Sequence, residues 1–149
     1  MTGGIGPGHY FEDLLVGMEA SLVQIVGGDD IHAFAQVSGD VNPIHLDEAY
    51  AKETPFRRRI AHGMLSAAYI SAVFGTKLPG PGCVYISQTL NFRAPVHIGD
   101  HVTATVKISD LIERRKRAIF SCHCAVGEKV VLEGEAVLMV PSRTPKSKE

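Results

Sequence analysis

Eleven consecutive residues, Met64-Leu65-Ser66-Ala67-Ala68-Tyr69-Ile70-Ser71-Ala72-Val73-Phe74, carry no charge. Gly63 precedes them and Gly75 follows. The run reads as a helix from Gly63 to Phe74, stopped by Gly75. A helix apolar on every side belongs in an interior, not on a surface. It is too short to cross a bilayer, which takes about 20 apolar residues. The rest of the chain must therefore supply something that wraps it.

The segments after this run supply strands. Leu78 to Gly82 is a Pro- and Gly-rich turn. Beyond it, Cys83–Phe92, His101–Leu111, Ala118–Val126 and Val130–Val140 alternate in polarity. That alternation predicts an antiparallel sheet with one covered face. Gly99-Asp100, Glu113 to Lys116 and Gly127-Glu128 separate the strands as hairpin turns. Before the run, Leu22–Val26 reads as one further strand. A helix is expected from about Ile31 to Val37, capped by Asp29 or Asp30 and ended by Gly39. Asp47 is placed to cap a short helix over Glu48–Lys52, which Thr54-Pro55 ends. Helices grouped together and strands grouped together indicate an α+β fold. The expectation is one domain over 9–140, an antiparallel sheet curled around the buried helix, with flexible termini at 1–8 and 141–149. Such a sheet has open edges, and pairing them in a homodimer protects them.

The chain of 149 residues is long enough to bury a core without disulfides or metal. Its net charge of -1 argues against a broad nucleic-acid or anionic-membrane surface. Cys83, Cys122 and Cys124 are an odd number and form no disulfide framework. With no signal-peptide pattern and no membrane span in sight, a reducing, cytoplasmic setting is expected.

Chemistry is concentrated just before the apolar run. Ser38-Gly39-Asp40-Val41-Asn42-Pro43-Ile44-His45 sets an acid and a histidine five positions apart around a Pro turn. Both side chains transfer protons near neutral pH. Taken alone, Asp, Asn and Pro are also what an ordinary turn uses. Gly63 stands where the apolar helix begins, so its amide has no partner within the helix and points along the positive end of the dipole. An amide placed so can hold a carbonyl oxygen that gains negative charge. A glycine needed only for close packing explains the residue equally well.

Three stretches together carry a resemblance. Asp40-Val41-Asn42-Pro43-Ile44-His45, His62-Gly63-Met64-Leu65, and Gln88-Thr89-Leu90-Asn91-Phe92 with Pro95-Val96 and Gly99-Asp100 resemble the MaoC-like (R)-specific enoyl-CoA hydratases, across roughly Met18 to Val140. The resemblance implies the hot-dog fold, a homodimer, an acyl-CoA thioester as substrate and no metal or other cofactor. It implies that Asp40 and His45 hold the reacting water, and that the Gly63 amide binds the thioester carbonyl. It also implies that Asn42 orients the pair and that Ser71 supports it. The implied reaction is reversible syn hydration of trans-2-enoyl-CoA to (R)-3-hydroxyacyl-CoA, in fatty-acid breakdown or polyhydroxyalkanoate precursor supply. A 3-hydroxyacyl-carrier-protein dehydratase would use the same residues. A hot-dog thioesterase and a non-catalytic acyl-CoA-binding module are more distant readings.

Other polar groups are read against simpler roles. Arg57-Arg58-Arg59 fits the phosphates of coenzyme A, though a solvated charge run is the commoner use of such residues. Arg114 to Arg117 reads as an exposed turn. Cys122-His123-Cys124 lacks a second ligand pair at zinc spacing and reads as buried structural cysteines. His62 is expected to cap the helix or line the entrance to the site, and His32, His97 and His101 to be ordinary.

Overall fold

The computed structural model describes residues 5–144. A 3₁₀ turn at Phe11–Asp13 is followed by β1 (Glu19–Ile25), α1 (Gly28–Ser38), α2 (Pro43–Leu46), α3 (Glu48–Lys52) and α4 (Gly63–Thr76). Then come β2 (Val84–Gln88), β3 (Asn91–Phe92), β4 (His101–Ile112), β5 (Arg117–Val126) and β6 (Lys129–Met139). The strands form one antiparallel sheet in the order β1-β4-β5-β6-β2, with β3 also paired to β6. α4 packs across β1, β4, β5 and β6.

Alternation along the strands builds the core. Val102, Ala104, Val106 and Ile108 of β4 and Ala118, Phe120, Cys122 and Cys124 of β5 point inward. They meet Leu65, Ile70, Val73 and Phe74 of α4. Phe74 sets its ring edge-on to Phe120, with centroids 4.8 Å apart. Burying a side chain of this size contributes about 1.5–3 kcal/mol of transfer free energy.

Four elements depart from the sequence expectations. α1 begins at Gly28, because Asp30 caps from inside the first turn, accepting the Gly27 N–H at 2.8 Å. Asn42 does more than hold a turn: its side chain accepts the Ile44 N–H at 3.2 Å and starts the one-turn helix α2, with Pro43 in the first position. α4 runs through Gly75 to Thr76 and is capped by Lys77, which donates its N–H to the Val73 carbonyl at 2.9 Å; beyond the cap Gly80, at φ 86, donates its N–H to the Phe74 carbonyl at 2.8 Å. Nor is α4 buried all round: Met64, Ala68, Ser71 and Gly75, at helical spacing, form an exposed row.

The stretch Cys83–Phe92 is likewise two strands, not one. At the break Thr89 donates its N–H to the Glu135 carbonyl at 2.8 Å and accepts the Glu135 N–H on its hydroxyl at 2.9 Å. The Thr89 carbonyl presses so close to Gly134 of β6 that a Cβ there would overlap it. The expected flexible ends fall outside the described residues at 1–4 and 145–149. Nearer the core, Phe11 donates its N–H to the Pro141 carbonyl at 2.7 Å, and Arg143 makes paired bonds to Asp13 at 2.7 and 3.0 Å. That guanidinium holds the Asp13 carboxyl below its usual range.

Candidate active site

The loop leaving α1 is shaped by short-range hydrogen bonds. Gly39 takes the left-handed conformation at φ 81 and ends the helix. Ser38 donates its hydroxyl to the Phe34 carbonyl at 2.6 Å and accepts the Asp40 N–H at 3.1 Å. Asp40 accepts the Asn42 N–H on Oδ1 at 3.2 Å, and Asn42 caps α2 in turn. These links leave Asp40 Oδ2 free and bring His45 round to face it, with Nε2 3.9 Å away.

The imidazole of His45 is buried, whereas half of the Asp40 side chain is exposed. His45 Nδ1 lies 2.8 Å from the Ile60 carbonyl. A carbonyl only accepts, so Nδ1 carries the hydrogen and Nε2 presents a lone pair in the neutral ring. The Ile60 carbonyl is itself fixed. Ile60 donates to the Ile44 carbonyl at 3.3 Å and bridges to His97, and Ala61 donates to the Val96 carbonyl at 2.7 Å.

His62 joins this pair to α4. It is the residue before the first turn of the helix and is almost wholly buried. Its Nε2 donates to the Asp40 main-chain carbonyl at 2.9 Å, and its ring stacks on His45 with centroids 3.8 Å apart. Gly63 follows as the first helical residue, so its N–H has no acceptor within the helix. The Phe92 ring of β3 lies across Gly63, and a Cβ there would come within 2.5 Å of it. A cavity of about 500 Å³ opens beside Gly63, walled by Phe56, Met64, Phe92 and Val96 among others. It reaches His62 and Ser66 but not Asp40 or His45.

The structure thus brings Asp40, Asn42, His45 and Gly63 into one place. Ser71 lies elsewhere: it is exposed, eight residues further along α4, about 12 Å at the usual helical rise. Arg59 is drawn inward, with Nε 3.4 Å from Glu48 Oε2 and Nη1 donating to the Leu46 carbonyl at 3.4 Å. Arg57 and Arg58 are exposed. Burial pushes the thiols of Cys122 and Cys124 up to about 11 and about 12, as expected of buried structural cysteines. Among the described residues, Asp40, His45 and His62 are the one cluster with ligand atoms close enough for an ion. Both rings there give an N–H to a carbonyl, and the remaining His62 nitrogen is buried without a partner.

Two contacts of the site are not legible in a motif reading, although Phe92 itself stands in a stretch that carries the resemblance. The Ile60 carbonyl is backbone, and any residue provides one. Phe92 reaches Gly63 only because β3 pairs with β6.

The profile of the MaoC-like domain family matches residues 18–131. The chain belongs to the MaoC-like family. It is 56% identical over 134 residues to a 3-hydroxybutyryl-CoA dehydratase of Methylorubrum extorquens, covering 90% of this chain and 85% of that one. It is 55% identical over 135 residues to an (R)-specific enoyl-CoA hydratase of Rhodospirillum rubrum, covering 91% and 94%. Among solved structures, the (R)-hydratase of Aeromonas caviae involved in PHA biosynthesis superposes with a TM-score of 0.85 at 41% identity, over 87% of this chain and 99% of that one. The MaoC-like chain therefore has the hot-dog fold that its motifs imply.

Proposed function

We propose that this MaoC-like protein is an (R)-specific enoyl-CoA hydratase, adding water reversibly to trans-2-enoyl-CoA with syn geometry to give (R)-3-hydroxyacyl-CoA. The observation that carries the reading is the facing of His45 Nε2 and Asp40 Oδ2 across 3.9 Å, with His62 linking both residues to the helix start at Gly63. A gap of that size suits one water donating a hydrogen to each group. With Asp40 a carboxylate and His45 neutral, both are acceptors.

The steps follow from that arrangement. The Gly63 N–H holds the thioester oxygen. One water proton passes to the pair as the water oxygen bonds to C3. The C2–C3 π electrons move towards the carbonyl and leave enolate charge on its oxygen, where the amide is most effective. C2 then takes a proton back from the pair. Neither group holds a spare proton at the start, so the proton delivered to C2 is the one removed from the water. His45 exchanges it only at Nε2, because Nδ1 is tied to Ile60. Delivery from one side gives syn addition. The elements of water are added with no net redox change, so the reaction calls for no cofactor. Asn42 orients the pair by capping α2.

Further features fit this reading. Arg57 and Arg58, both exposed, are available for the phosphates of coenzyme A, whereas Arg59 is held by Glu48 and Leu46. β2 is an edge strand with exposed Val84, Tyr85 and Ile86, suited to a second copy of the chain in a homodimer. Ser71 lies on the exposed row of α4, from which it can support the site from the substrate or partner side. Three free cysteines suit a reducing cytoplasm, and among the described residues no helix is long and apolar enough to cross a membrane. The product suits fatty-acid breakdown or polyhydroxyalkanoate precursor supply.

The test is a rate series on trans-2-enoyl-CoAs of increasing length, with product chirality determined. An (R) alcohol is expected. An (S) product, or release of free coenzyme A from a saturated acyl-CoA without hydration, overturns the reading. A strong preference for carrier-protein thioesters moves the activity to a carrier-protein dehydratase.

A further inference from the structure

We propose that His62 is a positioning residue for hydration, one imidazole that aligns Asp40, His45 and the Gly63 amide at once; this rests on the hydratase reading above. His62 is only 2% exposed, and three neighbours define its ring. Phe34 lies against it with centroids 4.9 Å apart at 57°. His45 stacks on it at 3.8 Å and 24°. Nε2 donates to the Asp40 carbonyl at 2.9 Å. A carbonyl has no hydrogen to give, so Nε2 carries the proton. Nδ1 is buried with no partner. Placing a second proton there would bury a cationic N–H without an acceptor. The hydrogen bond therefore assigns the proton to Nε2.

Each contact removes one freedom that the chemistry cannot tolerate. The Asp40 side chain is half exposed and sits on a loop. Its carboxylate is placed only as well as its backbone, and His62 pins that backbone. His45 is held at Nδ1 by the Ile60 carbonyl, but one hydrogen bond leaves the ring free to rotate about it. A second ring stacked on its face fixes the plane, and with it the direction of the Nε2 lone pair. His62 is also joined by its peptide bond to Gly63, so the oxyanion amide moves with the same residue.

Three substitutions separate these contacts. His62→Gln keeps an N–H near the position of Nε2 and loses the ring. His62→Phe keeps the stack and loses the donor. His62→Leu loses both. A misplacement of about 1 Å costs on the order of 100-fold in rate. His62→Leu is therefore expected to lose about 100-fold in kcat on crotonyl-CoA with KM within about threefold of the parent. The Gln and Phe variants should fall between, because each restores one contact. Folded His62→Leu with kcat close to wild type, or a rise in KM alone, overturns the inference. A wild-type protein that hydrates none of the trans-2-enoyl-CoAs of the length series overturns the hydratase reading and this inference with it; where a longer substrate is preferred, the variants are compared on that one. Where the variants do not fold, imidazole ¹⁵N spectra of the wild-type protein decide. His62 is expected in its Nε2–H form and His45 in its Nδ1–H form, and the opposite tautomer at His62 overturns the inference.

Discussion

Asp40 and His45 are held in different ways, and that difference makes them separable by mutation. Asp40 uses Oδ1 for the Asn42 N–H and leaves Oδ2 for chemistry. Asp40→Asn can keep the first contact and loses the charge. In His45→Asn, the amide nitrogen can replace Nδ1 at the Ile60 carbonyl, but nothing occupies the place of Nε2. Each variant is expected to lower kcat on crotonyl-CoA by about 10²–10⁴-fold, the usual value of a positioned acid or base. Circular dichroism and Tm should stay near wild type, and activity near wild type in either variant removes that residue from the mechanism. Gly63 is a third case. Its helical backbone tolerates a side chain, but a Cβ there meets the Phe92 ring at 2.5 Å. The half-exposed ring can swing away, so Gly63→Ala should fold and lose activity as its methyl and the displaced ring crowd the amide. A loss of about 10–100-fold in kcat is expected, somewhat less than removal of an oxyanion donor outright. Adding Phe92→Ala should recover part of it; no recovery would mean that the ring is not what obstructs the site.

At the scale of elements, the sequence is most informative where a side chain sets the local backbone. Gly39 after α1 and Asp47 before α3 act as their residue types predict. The motif Asp40 to His45 is legible because Asp, Asn and Pro build its turn from within. Legibility ends where a distant segment decides. Gly75 reads as a helix stop, yet α4 continues to Thr76, where the N–H groups of Lys77 and of Gly80, beyond the Leu78-Pro79 turn, take up the last carbonyls. The row Met64, Ala68, Ser71 and Gly75 is as free of charge as the buried faces, so composition cannot tell that it is exposed. The break between β2 and β3 is fixed by Gly134, some 45 residues away, where the Thr89 carbonyl needs the space of a missing side chain. Backbone cannot yield as a flexible side chain does. Gly134→Ala is therefore expected to destabilise the fold by about 1–3 kcal/mol, in the range of overpacked sites. Chemical denaturation measures it, and a midpoint equal to wild type would show that the strand break can relax.

At the scale of the molecule, the sheet leaves two edges, β1 and β2, and only β2 has its apolar side chains exposed in a row. Val84, Tyr85 and Ile86 are 46%, 40% and 40% exposed, although neighbours in an edge strand ordinarily alternate. Phe74 of α4 meets Tyr85 edge-on, with centroids 5.4 Å apart, yet Val84, Tyr85 and Ile86 all keep exposed surface, while most of α4 packs on β1, β4, β5 and β6. An exposed apolar edge of this kind invites association unless a partner occupies it. A second copy adding its own β2, as proposed above, would satisfy the open backbone groups of both chains by a two-fold operation, the commonest symmetry of small assemblies. The site lies close to this edge, because Phe92 of β3 continues the strand and rests on Gly63. Assembly and activity should therefore fail together. Ile86→Lys places a charge on the proposed contact. It is expected to shift the protein from dimer towards monomer in sedimentation velocity, with loss of hydratase activity that higher protein concentration partly restores. A wild-type monomer that hydrates crotonyl-CoA at full rate would separate the site from the edge.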